Sequence, residues 1–485
     1  MNRDLPVAVI GAGPVGMSAA AQLLARGMTP AGFERGPHAG HAIAQWAHVR
    51  VFSPWRYNID KEARKLLEQT AWREPNADGL PTGGEILRDY LSPLAAHPAI
   101  APHLTCNAEV IAITREGAGK LISAGRDNLP FCIHWRDGDG QHHRTSARAV
   151  IDTSGTWSSP NPMGVDGVAV PGEIEANGAV AYGIPDVLGA ERGSYAGGRT
   201  LVVGSGDSAI NTILDLLKLK DEQPDTHITW AWRRQANRRI ASGGSGDKLA
   251  ARGALSGAGL RAMRSGKLDM LAPFAATQIE RAGNGLRITG RLDGKNHSFE
   301  VDRIVVAAGF RPDLDMLREI RISLDPAVET TPALAPLIDP NLHSCGTVRP
   351  HGAAELAHPE PGFFIAGSKS YGRAPTFLMT TGYEQVRSIA AFLDGDMAAA
   401  ARVELELPET GVCITDDLPG EEASACCGGP APAQSSACCG DDARAKAEGK
   451  GGCGCGTSEP EPAKSTSCCG TSEAKPAKTS SCCGG

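Results

Sequence analysis

The chain has 485 residues, 41% of them hydrophobic and 21% charged, enough for two or more domains with large cores. Its net charge of −7 and isoelectric point near 6.0 offer no general attraction to nucleic acid or to an anionic membrane. No stretch approaches the roughly 20 apolar residues of a membrane span. Met1-Asn2-Arg3-Asp4 also leads into a strand rather than a secretory leader's apolar core, so a cytoplasmic protein with no membrane or nucleic-acid partner is expected.

The apolar run Leu5–Ile10 reads as a buried strand, and it enters Gly11-Ala12-Gly13-Pro14-Val15-Gly16 and then an alanine-rich helix reaching Arg26. Strand, glycine turn and helix in this order form a dinucleotide-binding fingerprint. Gly11 permits the turn, Gly13 lets a diphosphate approach the backbone, and Gly16 lets the helix lie close to the strand. The unpaired N–H groups at the helix start carry partial positive charge that suits a diphosphate. A second strand ends at Ala31-Gly32-Phe33-Glu34, where Glu34, followed by Arg35, is placed to accept ribose hydroxyls.

Residues 36–60 hold His38, His41, Trp46, His48, Phe52, Trp55, Tyr57 and Asn58, an aromatic density above the 5% of the whole chain. They suggest a ligand-facing segment, with Trp46 near the cofactor; ordinary packing beneath surface histidines fits them as well. Helices are expected at Lys61–Gln69 and Gly84–Ala96, and strands at Leu104–Ile113, Leu129–Trp135 and His142–Ile151, with a turn at Asp137-Gly138-Asp139-Gly140. The run Ala149–Trp157 passes from apolar to small residues and places Gly155 beside the cofactor. A Pro- and Gly-rich crossover follows from Ser158 to Gly198.

A second fingerprint appears at Thr200–Val203, then Gly204-Ser205-Gly206-Asp207-Ser208-Ala209 and the helix Ile210–Leu219. The next strand, His227–Trp232, ends in Arg233-Arg234 rather than in an acid. Two arginines suit the 2′-phosphate of NADPH, although Arg238-Arg239 nearby fits a simple basic loop. Strands at Leu286–Leu292 and His297–Val301 precede Arg303–Pro312, which repeats the strand-then-small pattern and presents Gly309. Phe363–Gly367 is a third such strand, with Gly367 and Ser368 at its end, and Pro375-Thr376 open a helix through Leu393.

Two nucleotide loops, the second inserted within the first domain, describe an α/β fold with two Rossmann-like dinucleotide-binding domains, one for FAD and one for NADPH. The expected division is 1–160 for the first part of the FAD domain, 161–302 for the NADPH domain and 303–400 for the second part of the FAD domain. A linker at 401–419 and a tail at 420–485 complete it. The tail is rich in Gly, Pro, Ala, Ser, Lys and Glu, and is expected to be disordered. Ten of the 14 cysteines lie in it, and Thr457–Gly470 and Thr471–Gly484 repeat at a period of 14 residues, each ending Ser-Cys-Cys-Gly.

Residues 5–395 resemble the two-dinucleotide flavoproteins, specifically the flavin-dependent monooxygenases that use FAD and NADPH. Asn341–Thr347 with His351-Gly352, Lys369–Leu378, Leu407–Cys413 and the Cys-Cys-Gly tail resemble the flavoprotein monooxygenases of bacterial arsenic-resistance operons. The resemblance implies oxidation of trivalent arsenicals, methylarsenite in particular, with dioxygen as co-substrate. Two departures stand out. Residues 156–199 contain no Phe and no His, so the usual flavin-containing monooxygenase fingerprint is missing. Ser368 stands where many relatives carry an Asp that holds the ribityl chain.

No cysteine precedes Cys106, so a redox pair on a helix beside the flavin is absent and electrons are expected to pass to dioxygen or to a bound ligand. The lone pair of As(III) is a suitable nucleophile toward an electrophilic oxygen. Asn58 or His48 is a candidate donor to the activated oxygen, and the helix opened by Pro375-Thr376 a stabiliser of negative charge on the reduced ring. Soft thiolates select soft ions. Cys426, Cys427, Cys438, Cys439, Cys468, Cys469, Cys482 and Cys483 are therefore candidate ligands, on a tail with a reach of roughly 40–48 Å. Cys345 and Cys413 are candidates for the receiving site. A flavoprotein reductase and a thiol-based metalloid scavenger fit the same residues.

Overall fold

The computed structural model describes residues 4–234, 249–340, 348–375 and 377–405. Strand β1 (Val7–Ile10) has all four side chains buried, as an apolar strand covered on both faces requires. The chain turns at Gly11 into α1 (Pro14–Ala25) and returns through β2 (Pro30–Phe33), parallel to β1. Helix α2 (Lys61–Leu67) is capped by the Asp60 carboxylate, which accepts from the Glu62 and Ala63 N–H groups. Residues 83–95 wind as one helical stretch with a wide turn at Leu87–Leu91, started by a reciprocal Thr82–Glu85 cap.

The single strand expected over 104–113 is two strands. β3 (Leu104–Thr105) pairs with β2 at the sheet edge, and β4 (Glu109–Arg115) starts an antiparallel sheet with β5 (Phe131–Arg136) and β6 (His142–Ala147). Asn107, at φ 52°, makes the break. The strand expected over 142–151 likewise divides at Arg148. β6 has one face open to solvent, whereas β7 (Ala149–Asp152) is buried throughout and pairs with β1, so two adjacent runs serve two sheets.

The second domain follows. Strand β8 (Val180–Tyr182) lies within the Pro- and Gly-rich crossover; then come β9 (Arg199–Val203), α3 (Asp207–Glu222), β10 (His227–Ala231), α4 (Ala250–Arg264) and β11 (Asp269–Leu271). An antiparallel sheet of β12 (Phe274–Ala282), β13 (Gly285–Leu292) and β14 (Lys295–Val301) packs on it; α4 and β12 were not anticipated. β15 (Arg303–Val306) pairs in parallel with β9 and β8. Residues 303–306 therefore belong to the second sheet, which corrects the boundary expected at 302/303. The reason is register: Ile304 stands opposite Leu201 and its side chain is fully buried in the second core.

The chain then crosses back beside its own outward path. Asn161 N–H donates to Gly309 O and Arg311 N–H to Ser159 O, both at 2.9 Å. β16 (Phe363–Ile365) adds to β7, giving a parallel sheet of order β16-β7-β1-β2-β3. Helix α5 (Met379–Asp394) begins four residues later than Pro375, where it was expected. Backbone bonds from Arg373 N–H to Val328 O and from Ala374 N–H to Tyr371 O hold the preceding segment as a turn.

The first sheet separates two cores. Val7, Val9, Ile151 and Phe364 face α1 and α5, while Ala8, Ile10, Val150 and Ile365 face the β4–β6 sheet. Each large side chain so buried contributes about 1.5–3 kcal/mol. No helix among the described residues is long and apolar enough to cross a membrane. Linker residues beyond 405 and the whole 420–485 tail lie outside the described residues.

Candidate functional site: two dinucleotide cradles and the cleft between them

Gly11 takes φ 92°, and a Cβ there would stand 2.9 Å from Thr153 O and from Ser154 Cα. A Cβ on Gly16 would fall 1.9 Å from Gly11 O, so only glycine lets α1 start this close to β1. Gly13 differs: a Cβ there meets nothing within 4 Å, which leaves the open backbone approach that a diphosphate needs. Pro14 occupies the first helical turn, where its missing N–H costs nothing. Val15 is a packing residue: the space beside it is closed to a Cβ on Gly382, which would lie 2.5 Å from its Cγ2. The Ala12 and Gly36 N–H groups each donate to the Glu34 carboxylate at 2.8 Å. These bonds fix the carboxylate at the end of β2 with acceptor capacity left for ribose hydroxyls; Arg35 is exposed beside it.

Two further turns close this cradle. Thr153 Oγ1 donates to Ile10 O at 2.8 Å, tying the end of β7 to β1. Gly155 (φ 71°) faces Ser368 across the cradle, and a Cβ on Gly155 would come 3.5 Å from Ser368 Oγ. Gly367 (φ 75°) donates its N–H to Gln385 Oε1 at 2.8 Å. Gln385 is fully buried and also reaches His351 and Ser370, so one residue of α5 fixes the turn after β16. Neither Thr153 nor Gln385 stood out in the sequence, since nothing local marks them.

The second loop repeats the first. Gly204 takes φ 130°, with Ala307 O 2.3 Å from where a Cβ would be, and Gly206 has nothing within 4 Å. Trp230 Nε1 donates to Gly204 O at 2.7 Å and holds the turn. Ser205 is half-buried, Asp207 and Ser208 open α3, and Ala209 is fully buried in the second core. Arg233 and Arg234 are both exposed just past the end of β10. Gly309 lies at the return crossing, beside Asn161, rather than on the first cradle. Both loops therefore fit a dinucleotide diphosphate by their own geometry.

A cluster of aromatic side chains follows the end of β7 and meets the return crossing. Trp157 packs against Phe310 at a tilt of 32° with centroids 4.8 Å apart, lies 6.4 Å from Trp46, and donates through Nε1 to Gln45 Oε1 at 2.8 Å. From the second domain, the Arg252 guanidinium lies 5.7 Å from the centroid of the Phe52 ring. His48 is half-buried, and its Nε2 atom is buried with no hydrogen-bond partner among the described residues. Asn58 is fully buried: Oδ1 accepts from Ser53 Oγ at 2.9 Å, and Nδ2 donates to Ser53 O at 2.7 Å and Pro54 O at 3.1 Å. No amide hydrogen remains for a ligand, so the expectation that Asn58 donates to an oxygen species is corrected to a structural role.

Cys106 is half-buried after β3, and burial with the Glu34 charge pushes its thiol above the usual range. Cys132 is buried on β5, with Arg144 Nε donating to its Sγ at 3.1 Å. Among the described residues no cluster of three or more His, Cys, Asp or Glu is placed to hold a metal. Thr376, Cys345, Cys413 and the tail cysteines Cys426, Cys427, Cys438, Cys439, Cys468, Cys469, Cys482 and Cys483 lie outside the described residues.

Many solved structures share this architecture. The bacillithiol disulfide reductase Bdr (YpdA) of Bacillus cereus matches with a TM-score of 0.58 at 19% identity, over 81% of this chain and 99% of its own. The FAD-bound cadaverine monooxygenase DfoA of Erwinia amylovora matches with a TM-score of 0.57 at 11% identity, over 86% and 99%. The ornithine N-hydroxylase KtzI of Kutzneria sp. 744 matches with a TM-score of 0.52 at 15% identity, over 82% and 98%. No curated protein sequence matches the chain. The pyridine nucleotide-disulphide oxidoreductase family model matches residues 5–359, so the chain belongs to that family and is an FAD- and NAD(P)H-dependent oxidoreductase.

Proposed function

We propose that the protein is an FAD- and NADPH-dependent monooxygenase that oxidises trivalent arsenicals, methylarsenite foremost, to the pentavalent form. One observation carries the reading: two dinucleotide cradles occur in a chain whose family-matched segment has only Cys106, Cys132 and Cys345, none in Cys-x-x-Cys spacing. A dithiol relay of the kind that serves disulfide reduction has no residues to run on there. The fold is shared by monooxygenases as well as reductases, which is consistent with an oxygen route. The arsenical is supported by the segments around Cys345 and Cys413 and by the paired thiols of the tail, soft ligands suited to a soft metalloid.

The balanced reaction takes one methylarsenite, one dioxygen, one NADPH and one proton to methylarsenate, NADP⁺ and water. Arsenic and NADPH each give up two electrons, and dioxygen takes four. When bound, FAD supplies hydride acceptance from NADPH and delivery of that electron pair to dioxygen. The protein's part is placement. The loop at Gly11–Gly16 and Glu34 hold the first dinucleotide, and the loop at Gly204–Ala209 holds the second. Exposed Arg233 and Arg234 favour the nucleotide with a 2′-phosphate. Trp46, Trp157 and Phe310 form a half-buried aromatic cluster that offers apolar contact to a bound ring. The unpartnered Nε2 of His48 is available to hydrogen-bond a polar reactant or product. The first turn of α5 adds partial positive charge.

The test is NADPH consumption in air with and without methylarsenite or arsenite. Stimulation with formation of the pentavalent product is expected, and no stimulation by any trivalent arsenical overturns the reading. A reductase, the activity named for the Bacillus cereus neighbour, predicts undiminished turnover without oxygen.

A further inference from the structure

A buried lysine lies under the first cradle. Lys369, in the turn after β16, is 2% exposed, and Asp152, the last residue of β7, is fully buried. Their Nζ and Oδ2 atoms are 2.7 Å apart. Lys369 Nζ also donates to Ser154 Oγ at 3.1 Å, and Ser154 donates to Asp152 Oδ1 through its N–H at 3.0 Å and its hydroxyl at 2.7 Å. Asp152 stands opposite Ile10 in the β1–β7 register, immediately before the glycine loop. Ser154 Cα is the atom 2.9 Å from a Cβ built on Gly11. The three-residue knot therefore joins both closing turns to the diphosphate loop.

Its charge matters as well as its shape. A carboxylate beside a diphosphate cradle opposes the anion the cradle binds. The other titratable groups that share a small cavity with Lys369 are His358 and Glu329, the latter paired with Arg373 at 3.0 Å. Burial pushes the His358 imidazole down to about 4, so it offers no positive charge at neutral pH. Lys369 supplies the compensation.

We propose that Lys369 is a positioning residue of the FAD site, which neutralises Asp152 at the edge of the diphosphate cradle and holds the Ser154 turn against the glycine loop. The inference rests on FAD binding in the first domain and not on the identity of the oxidised substrate. One uncompensated charge beside a bound diphosphate, at an effective dielectric constant of ~20, weakens binding on the order of thirtyfold.

The experiment measures the FAD dissociation constant by flavin fluorescence quenching on apoprotein, alongside apoprotein melting, for wild type, Lys369→Met, Asp152→Asn and the double variant. Lys369→Met is expected to bind FAD about thirtyfold more weakly, and the double variant to return within threefold of wild type, since replacing both members of a buried pair is near neutral. Asp152→Asn is expected to bind FAD as tightly as wild type or more tightly, whereas a tie that mattered only for shape would weaken it. The double variant, which strands neither charge, decides the matter if a single variant does not fold: FAD affinity more than threefold below wild type then overturns the proposal. Unchanged affinity in Lys369→Met, or weakened affinity in Asp152→Asn, overturns the proposal. A wild-type chain that takes up no FAD overturns the cofactor assignment and this inference with it.

Discussion

Replacing Gly13 by valine separates folding from cofactor binding. Gly13 has φ −74° and ψ −175°, extended backbone that any residue adopts, and a Cβ there meets nothing within 4 Å. The apoprotein is therefore expected to keep its stability to within about 0.5 kcal/mol. The added side chain fills the space over the backbone where the diphosphate lies. Two charge-assisted hydrogen bonds lost at about 1.5 kcal/mol each amount to roughly 3 kcal/mol, a loss of about 150-fold in affinity. Thermal melting of the apoprotein and FAD titration by fluorescence report the two effects separately. Gly16→Ala is the control: its Cβ would collide with Gly11 O at 1.9 Å, so melting itself should fall. The reasoning is refuted if Gly13→Val binds FAD within threefold of wild type, or melts as early as Gly16→Ala.

Gly206→Val, at the open position of the second loop, should raise the KM for NADPH by about 100-fold with FAD content unchanged, read by absorbance and initial rates. Arg233→Ala with Arg234→Ala should cost NADPH roughly tenfold or more and leave NADH untouched, reversing the preference in kcat/KM. Glu360 is 1% exposed and holds Arg115 at 2.7 Å and Arg126 at 3.0 Å, so Glu360→Gln strands buried cations and should destabilise by about 3–5 kcal/mol in urea unfolding. His358, depressed by burial from 6.5 to about 4, is neutral in the folded protein at pH 7. The unfolded chain binds the proton first as pH falls, so stability is complete above 6.5. Up to about 3 kcal/mol of it is lost between 6.5 and 4, a slope that His358→Gln should flatten.

Both cradles were legible because glycine roles are local: Gly11, Gly13 and Gly16 do in the fold what their spacing requires, and Gly204 and Gly206 repeat it. Glu34 was legible for the same reason, at the end of its strand. Sheet membership was not. Residues 104–113 and 142–151 each read as one strand, yet each feeds two sheets, and only tertiary pairing shows the break at Asn107 and Arg148. β15 looks like β7 in composition but joins the other domain. Asn58 has the chemistry of a ligand donor, and its neighbours Ser53 and Pro54 consume that chemistry. Lys369 and Gln385 read as ordinary polar residues, because a buried lysine is specified by a carboxylate more than two hundred residues away in the chain.

The central claim is that NADPH and an arsenical each give an electron pair to dioxygen, which leaves one oxygen atom on arsenic and the other in water. The most direct measurement follows NADPH, dissolved oxygen, peroxide and methylarsenate together in one reaction of the FAD-loaded protein with methylarsenite. The account predicts equal consumption of NADPH and oxygen, an equal yield of methylarsenate, no peroxide, and no turnover under nitrogen. NADPH oxidation that continues at the same rate without oxygen, or that returns peroxide in place of methylarsenate, would contradict it.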